Sequence, residues 1–284
     1  MIGGRKTAAF SPSEQQRKFA VSLFSGGKNG FLMDRFRPVE AFIFQDDALA
    51  TQVNLVGESI GGVKDRSGNN NHALQGTAGN KPTYQTSPDR IDITSADRYL
   101  ALDEATFSAI FTAADAQFSI VACVDGVSLT GSHLIFTKFG DVSHSENNRE
   151  YIFGLSGGKI RSGAYMSPAT TAYRVSHSTS SITTGKHILT TTYDGSQDGN
   201  DGLDRFKFWI DGVSDAATLP FTAGALGDLV GGSAIPALGA AVGAGESVFT
   251  ADLGADLGPI LFIDRILTAS EIAQVNNYFG DLWL

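Results

Sequence analysis

The chain of 284 residues has a single cysteine, Cys123, and fewer basic than acidic residues. One cysteine excludes an intramolecular disulfide framework and any cysteine-rich zinc site. With 21 Lys and Arg against 30 Asp and Glu, the formal net charge is −9. An acidic chain gains little from releasing counterions on nucleic acid, and this one has no basic cluster for an anionic membrane. We therefore expect neither nucleic acid nor membrane insertion among its interactions.

Long apolar runs are also missing. No run approaches the roughly 20 apolar residues that span a membrane. Residues 1–10 contain two basic residues, but no long apolar core follows them, so no cleaved signal peptide is expected. We expect the protein to be made in a cytoplasm and, if it acts outside a cell, to leave by another route such as lysis.

Two helices are predicted near the ends of the chain. The segment Ser11–Glu14 (SPSE) has the residues of a helix N-cap and first turn, and apolar residues at helical spacing follow it. This pattern predicts a helix over residues 12–24. The segment Thr268–Glu271 (TASE) is a second capping box. It predicts a helix over residues 269–279 that ends at Gly280.

Between these helices, short apolar runs and single glycines are typical of strands and turns. Hairpin turns are indicated at Gly157-Gly158 and at Asp211-Gly212. Many short strands with few helices favour an antiparallel sandwich. The predicted strands cover residues 118–124, 134–139, 151–155, 159–165, 187–193, 205–210 and 258–263.

Residues 1–60 differ from the rest because they are richer in Phe and in charged residues. We place a boundary at residue 60, so that residues 61–284 form the sandwich domain. The N-terminal arm carries the first helix and several Phe residues that need a partner to bury them. Its simplest role is docking, to a neighbouring copy or to a larger particle.

Three segments together resemble a known family. The segment Asp65–Ala73 (DRSGNNNHA) resembles the D-x-S-G-N-x-N-H-A opening of laminin-G-like, concanavalin-A-like jelly-roll domains. Tyr193–Ser196 and Phe208–Val213 resemble the family's hairpin, and Gly258–Ile272 resembles its closing strand and helix. The resemblance implies an all-β, antiparallel jelly-roll sandwich with an N-terminal arm that contains a short helix and with a short C-terminal helix.

The residues before this opening resemble a narrower group. Phe44–Asp46 and Val56–Gly61 resemble segments of structural proteins from tailed bacteriophage particles. This resemblance implies a non-enzymatic virion protein, either a capsid-surface decoration protein or a tail fibre component. Its implied partners are copies of itself in a homotrimer, other virion proteins, and a host cell-surface glycan bound through avidity. The alternative is a bacterial carbohydrate-binding module without a virion role.

Patterns for catalysis are weak. Glycan hydrolysis needs two carboxylates that face one sugar, but the glucanase pattern E-x-D-x-x-E is absent and the nearest cluster, residues 146–150 (ENNRE), is expected in a loop. Ser59 and Ser156 lie in G-x-S-x-G strings that no helical pattern follows. Cys123 is expected to be a small buried hydrophobe, and His72 to bond locally. None of the 5 histidines has an obvious carboxylate partner by spacing, so we expect no enzyme.

An acidic loop at residues 194–205 is the candidate metal site. Asp194 and Asp198 match positions 1 and 5 of a calcium loop, but Arg205 occupies the position of the required bidentate Glu. Two interpretations stay open. Either Asp194, Asp198 and Asp201 bind calcium, or the loop is a plain acidic hairpin. No other cofactor is expected.

Sugar binding would use aromatic side chains beside amide groups. The candidates are Tyr165, Tyr173, Asn147 and Asn148, which lie in or next to two predicted loops. The alternative for the two tyrosines is that they cover the edge of the core.

Overall fold

The computed structural model shows two antiparallel sheets that pack face to face, with two helices against the outside of one sheet. Among the residues that it describes, no helix is long and apolar enough to cross a membrane. It describes residues 14–34, 41–86, 89–94, 97–126, 130–139, 149–166, 172–229, 231–243, 248–249 and 253–283.

The first sheet, sheet A, has eight strands. They are β1 (Gly30–Met33), β5 (Thr83–Gln85), β6 (Arg90–Asp92), β8 (Gln117–Asp125), β13 (His187–Asp194), β14 (Phe206–Ile210), β15 (Val213–Asp215) and β20 (Asp256–Ile263). Their order is β15-β14-β13-β8-β20-β6-β5, and β1 pairs with β20 in addition.

The second sheet, sheet B, has ten strands. They are β2 (Ile43–Phe44), β3 (Gly62–Val63), β4 (Ala73–Leu74), β7 (Leu100–Ala101), β9 (Ser132–Phe139), β10 (Arg149–Ser156), β11 (Lys159–Met166), β12 (Ala172–Ser181), β16 (Ala217–Ala223) and β17 (Pro236–Leu238). Their order is β16-β12-β11-β10-β9-β17-β7-β4-β3-β2, so β16 is an edge strand.

A small hairpin and three α-helices complete the described elements. The hairpin joins β18 (Ala241–Val242) to β19 (Val248–Phe249). The helices are α1 (Glu14–Ser22), α2 (Glu104–Phe111) and α3 (Ala269–Trp283), and short 3-10 turns lie at Ala78–Asn80 and Gly199–Arg205.

Strand β8 shows how the layers are held together. Phe118 and Ile120 lie in the core between the two sheets, whereas Val121 and Cys123 face the cluster formed with α3. Alternate residues of a strand point to opposite faces, so a strand covered on both faces reads as one continuous apolar run. The expectation that Cys123 is buried is confirmed.

The C-terminal helix begins as predicted and ends later. The Thr268 amide donates to Glu271 Oε2 at 2.8 Å, and the Glu271 amide donates to Thr268 Oγ1 at 3.2 Å, which is a capping box. The predicted end at Gly280 is wrong, because α3 continues to Trp283. Trp283 packs closely on Gly258 of β20, where a Cβ would lie 2.4 Å from the indole ring. Burial of this large side chain favours the extra turn.

The described part of the predicted arm is integrated into the sandwich. Strand β1 pairs with β20 in sheet A, and Phe31 lies in the main core. Helix α1 covers residues 14–22 of the predicted 12–24, and Phe24 just beyond it is buried in the cluster with α3. These phenylalanines therefore find their partner within this chain. Docking by residues 1–60 stays a prediction.

Candidate functional site

The opening motif forms a structural staple. The Asp65 carboxylate accepts hydrogen bonds from the amides of Leu32 (2.9 Å), Ser67 (2.7 Å) and Asn71 (3.1 Å). The Asp65 amide donates to His72 Nδ1 at 3.0 Å, which confirms that His72 bonds locally. Burial lowers the pKa of His72, which favours the neutral ring that accepts this bond. The motif thus ties β1 of sheet A to the segment that leads into β4 of sheet B.

A second staple lies beside the first. Arg66 Nη1 donates to both carboxylate oxygens of Asp34, at 2.5 and 2.7 Å, and the Tyr278 hydroxyl donates to Asp34 Oδ2. Burial raises the pKa of Tyr278, so the hydroxyl remains a donor. These three residues join the N-terminal segment, the opening motif and α3.

In the acidic loop, two predicted calcium ligands are paired with buried arginines. Arg205 Nη2 lies 2.7 Å from Asp198 Oδ1, and Arg174 Nη2 lies 2.7 Å from Asp201 Oδ1. Each guanidinium also donates to backbone carbonyls, which fixes the loop to the sandwich. The two arginines therefore supply the positive charge that a bound calcium ion would otherwise bring to these carboxylates.

Asp194, the third predicted calcium ligand, is bound by polar side chains and not by an arginine. Its carboxylate accepts hydrogen bonds from Ser196 Oγ at 2.7 Å and from Gln117 Nε2 at 2.8 Å. Burial raises the pKa of Asp194, but these hydrogen bonds outweigh burial and lower the pKa overall. The described residues contain no group of three or more His, Cys, Asp or Glu side chains arranged to hold a metal ion. Calcium binding stays a prediction.

The predicted glycan-binding residues are only partly surface residues. Tyr165, expected to be exposed, is buried, because its ring packs 5.0 Å from Phe139 and 5.9 Å from Tyr173 in a small apolar cluster. Tyr173 is half-buried beside it. Asn147 and Asn148 lie outside the described residues.

The expectation of a loop at residues 146–150 is wrong for its last two residues, which lie in β10. The Glu150 side chain is fully buried, and Lys138 Nζ donates to its Oε1 at 2.6 Å. Burial raises the pKa of Glu150 to about 7, although Lys138 opposes the shift. The sequence pattern did not reveal Lys138 as a buried partner of Glu150, because Lys138 lies in a strand that is otherwise mostly apolar.

One histidine has a carboxylate partner after all. His187 Nδ1 lies 2.8 Å from Asp211 Oδ2, and the Ile188 amide donates to Asp211 Oδ1 at 2.8 Å. The hydrogen bond to Asp211 raises the pKa of His187 in spite of burial. The pair was missed because 24 residues separate it, and the pairing of β13 with β14 brings it together. It anchors the hairpin turn at Asp211-Gly212.

Neither predicted serine motif has the context of a nucleophile elbow. Ser59 forms an isolated bridge with Thr83, and β3 follows it. Ser156 ends β10, and β11 follows after the two-glycine turn. A nucleophile elbow needs a helix directly after the serine.

The outer face of sheet B carries a feature that sequence reasoning missed. In the sheet register Arg161 of β11 lies opposite His177 of β12, and Val175 of β12 lies opposite Phe221 of β16. Phe221 is 55% exposed, and its ring centroid lies 6.0 Å from that of His177. We define the outer strip as Lys159, Arg161, Tyr173, His177 and Phe221.

The outer strip is positively charged and incompletely bonded. Burial lowers the pKa of His177, and the charges of Arg161 and Lys159 lower it further. His177 Nε2 and Arg161 Nε are both buried atoms without a hydrogen-bond partner among the described residues. Such atoms cost free energy unless something satisfies them, so they call for a physical explanation.

Sialidases and toxin binding domains share this fold. A mutant of Trypanosoma rangeli sialidase displaying trans-sialidase activity matches 94% of this chain with 37% of its own length, at a TM-score of 0.52 and 13% identity. The binding domain of Paraclostridial Mosquitocidal Protein 1 matches 79% of this chain with 51% of its own, at 0.50 and 13%. The binding domain of botulinum neurotoxin DC, solved in complex with rat synaptotagmin II, matches 76% with 49%, at 0.50 and 11%.

The two antiparallel sheets and these neighbours show a β-sandwich, which confirms the predicted all-β antiparallel architecture. At such low identity the likeness concerns the fold alone. This chain spans about a third to a half of the length of the chains that it matches. No family model and no curated protein sequence matches it.

Proposed function

We propose that this chain is a non-enzymatic carbohydrate-binding protein and that the outer strip of sheet B is its binding surface. The observation that carries the proposal is the position of Phe221. Five large apolar side chains are exposed among the described residues, and Phe221 is the aromatic one. It lies beside His177 on the sheet, and Arg161 lies opposite His177 on the next strand. An aromatic ring next to a few polar groups is the arrangement that a sugar requires, with its C–H face on the ring and its hydroxyls on the polar groups.

The similarity to solved binding domains supports this assignment through the fold. The half-buried Tyr173 lies in the same strand and on the same face as His177, so it extends the aromatic surface along β12. Tyr173 is the residue of the predicted glycan set that keeps a place in the proposal. Tyr165 contributes by supporting the Tyr173 ring.

A non-catalytic role is proposed because the carboxylate with a strongly raised pKa is sealed inside the sandwich. Glycosidases need two carboxyl groups on either side of the scissile bond, one of them with a raised pKa. Glu150 has such a pKa, but its side chain is 0% exposed. Lys138 covers it and donates to it, so a sugar has no access to this carboxyl in the folded chain.

The proposal is tested with an immobilised glycan panel, probed with the unmodified protein and with two variants. Phe221→Ala removes the exposed ring. Val213→Ala is the matched control, because Val213 is 70% exposed on the edge strand of the other sheet. We expect binding to a subset of glycans that Phe221→Ala abolishes and Val213→Ala retains. Absence of binding to every glycan, or equal loss in both variants, would reject the proposal.

We further propose that the protein displays this surface from a bacteriophage particle as a homotrimer. The support is the resemblance of residues 44–46, 56–61 and 65–73 to phage structural proteins. A module without a virion role is the competing assignment. Light scattering separates the two, because a trimer has about three times the 29.9 kDa of the chain. Antibody labelling of intact particles identifies a decoration protein that trimerises only on its particle.

A further inference from the structure

The charge of the outer strip contrasts with that of the whole chain. The chain has a net charge of −9, yet Lys159, Arg161 and His177 lie together on two neighbouring strands. The two charged groups that act on His177 are both cationic. A patch of one sign on a protein of the other sign selects ligands by charge.

Arg161, like Arg17 of α1, lacks among the described residues the carboxylate partner that the other buried or half-buried arginines have. Six described arginines each form an ion pair with a carboxylate: Arg66, Arg90, Arg98, Arg174, Arg205 and Arg265. Arg161 forms no such pair among the described residues. Among the described residues its side chain makes one long hydrogen bond, 3.5 Å from Nη1 to Ser132 Oγ, and its Nε has no partner there. Its guanidinium is therefore available for a carboxylate from outside the chain.

An arginine is the side chain best suited to a carboxylate, because its planar fork donates two parallel hydrogen bonds. A ligand that lies over Phe221 and His177 extends along the same register row to Arg161, since Arg161 and His177 are directly opposite in the sheet. Rotation of the Arg161 side chain away from Ser132 breaks only the long bond. The Phe221 ring and the Arg161 guanidinium thus lie on opposite sides of His177.

We propose that the outer strip binds a sugar that carries a carboxylate, with the sugar ring on Phe221 and the carboxylate on Arg161, assisted by Lys159. This inference rests on the proposed carbohydrate binding and adds the substrate class. Two kinds of acidic sugar share this chemistry, the nonulosonic acids and the uronic acids, and the experiment distinguishes them.

The test measures dissociation constants by calorimetry for two matched pairs of ligands. The first pair is sialyllactose and lactose, and the second is trigalacturonate and its methyl ester. We expect at least one acidic ligand to bind about tenfold or more tightly than its neutral partner, because a charge-assisted hydrogen bond is stronger than a neutral one. The pair that shows the preference identifies the acid. Raising the salt concentration is expected to reduce this preference.

Variants distinguish the preference for an acidic sugar from carbohydrate binding itself. Arg161→Gln is expected to abolish the preference for the acidic ligand and to leave binding of the neutral one, and Lys159→Gln to reduce the preference. Lys207→Gln, an exposed lysine on β14 of the other sheet, is the control and retains it. Equal affinity for acidic and neutral partners, or an unchanged preference in Arg161→Gln, overturns the inference while carbohydrate binding stands. Binding of no sugar at all overturns both.

Discussion

Lys138 and Glu150 form an ion pair inside the sandwich, with 2.6 Å between Nζ and Oε1 and with both side chains fully buried. Lys138 Nζ also donates to the Gly232 carbonyl at 2.7 Å, and the Gly232 amide donates to Glu150. The pair therefore connects β9, β10 and the segment before β17. A buried pair contributes little net stability, but removing one partner leaves an uncompensated charge.

Lys138→Met is expected to destabilise the protein by about 3–5 kcal/mol at pH 8, because the Glu150 carboxylate then lies buried without its counterion. Its cost is expected to be smaller at pH 5. The folded pKa of Glu150 is already raised to about 7, and loss of the ammonium raises it further. A raised carboxyl pKa means that the native state binds the proton more tightly, so stability increases as pH falls below that pKa.

Urea unfolding at the two pH values, followed by tryptophan fluorescence, measures this difference. Lys207→Met is the control, because Lys207 is exposed, and it is expected to change stability by about 0.5 kcal/mol or less. A cost for Lys138→Met that is the same at both pH values would mean that Glu150 does not titrate in the folded chain.

Arg66→Leu is expected to loosen the N-terminal segment, because among the described residues Asp34 then keeps only the Tyr278 hydroxyl as a partner. The expected loss is about 3–5 kcal/mol, since a buried carboxylate loses its cation. Limited proteolysis is expected to cleave within residues 14–34 faster than in the unmodified chain. Arg265→Leu breaks a more exposed pair with Glu271 and is expected to cost about 1 kcal/mol or less. Equal effects of the two substitutions would mean that the Arg66–Asp34 pair does not hold the N-terminal segment in place.

Calcium is expected to leave the thermal midpoint unchanged relative to EDTA, because Arg205 and Arg174 already neutralise Asp198 and Asp201. A ligand that binds only the native state raises the midpoint, and the stabilisation grows with the logarithm of its concentration over its dissociation constant. A calcium-dependent rise that disappears in Asp198→Asn would show that the loop binds the ion, as the first interpretation of the sequence holds.

The long strands and the ends of the chain could be predicted from the sequence because their signals are local. The run 118–124 is apolar throughout since β8 is covered on both faces. The capping box of Thr268 and Glu271 joins two residues that are only three positions apart in the chain. The turn at Asp211-Gly212 needs positive φ at both residues, and they have 51° and 78°.

The missed elements depend on partners that are distant in the chain. Helix α2 has only eight residues, and it is stabilised by the insertion of Phe107 and Phe111 among core aromatics such as Phe262. Strand β12 is rich in serine, so its apolar signal is weak. A helix or strand of this kind exists because tertiary packing overrides local propensity.

The outer strip was missed for the same reason. Phe221 and His177 are 44 positions apart in the numbering, and only the pairing of β12 with β16 brings the two rings together. A local signal was present at Phe221, which is the one aromatic residue of the sequence between Trp209 and Phe249. Tyr165, in contrast, continues an apolar strand, and the structure buries it.

The most direct test of carbohydrate binding at the outer strip is calorimetric titration of the best ligand from the glycan panel. We expect Phe221→Ala to weaken binding by about tenfold or more, a loss of about 1.4 kcal/mol or more. Val213→Ala is predicted to bind as the unmodified protein does, with all three proteins showing the same unfolding midpoint. Undiminished affinity in Phe221→Ala would contradict the account, because the sugar would then bind elsewhere on the sandwich.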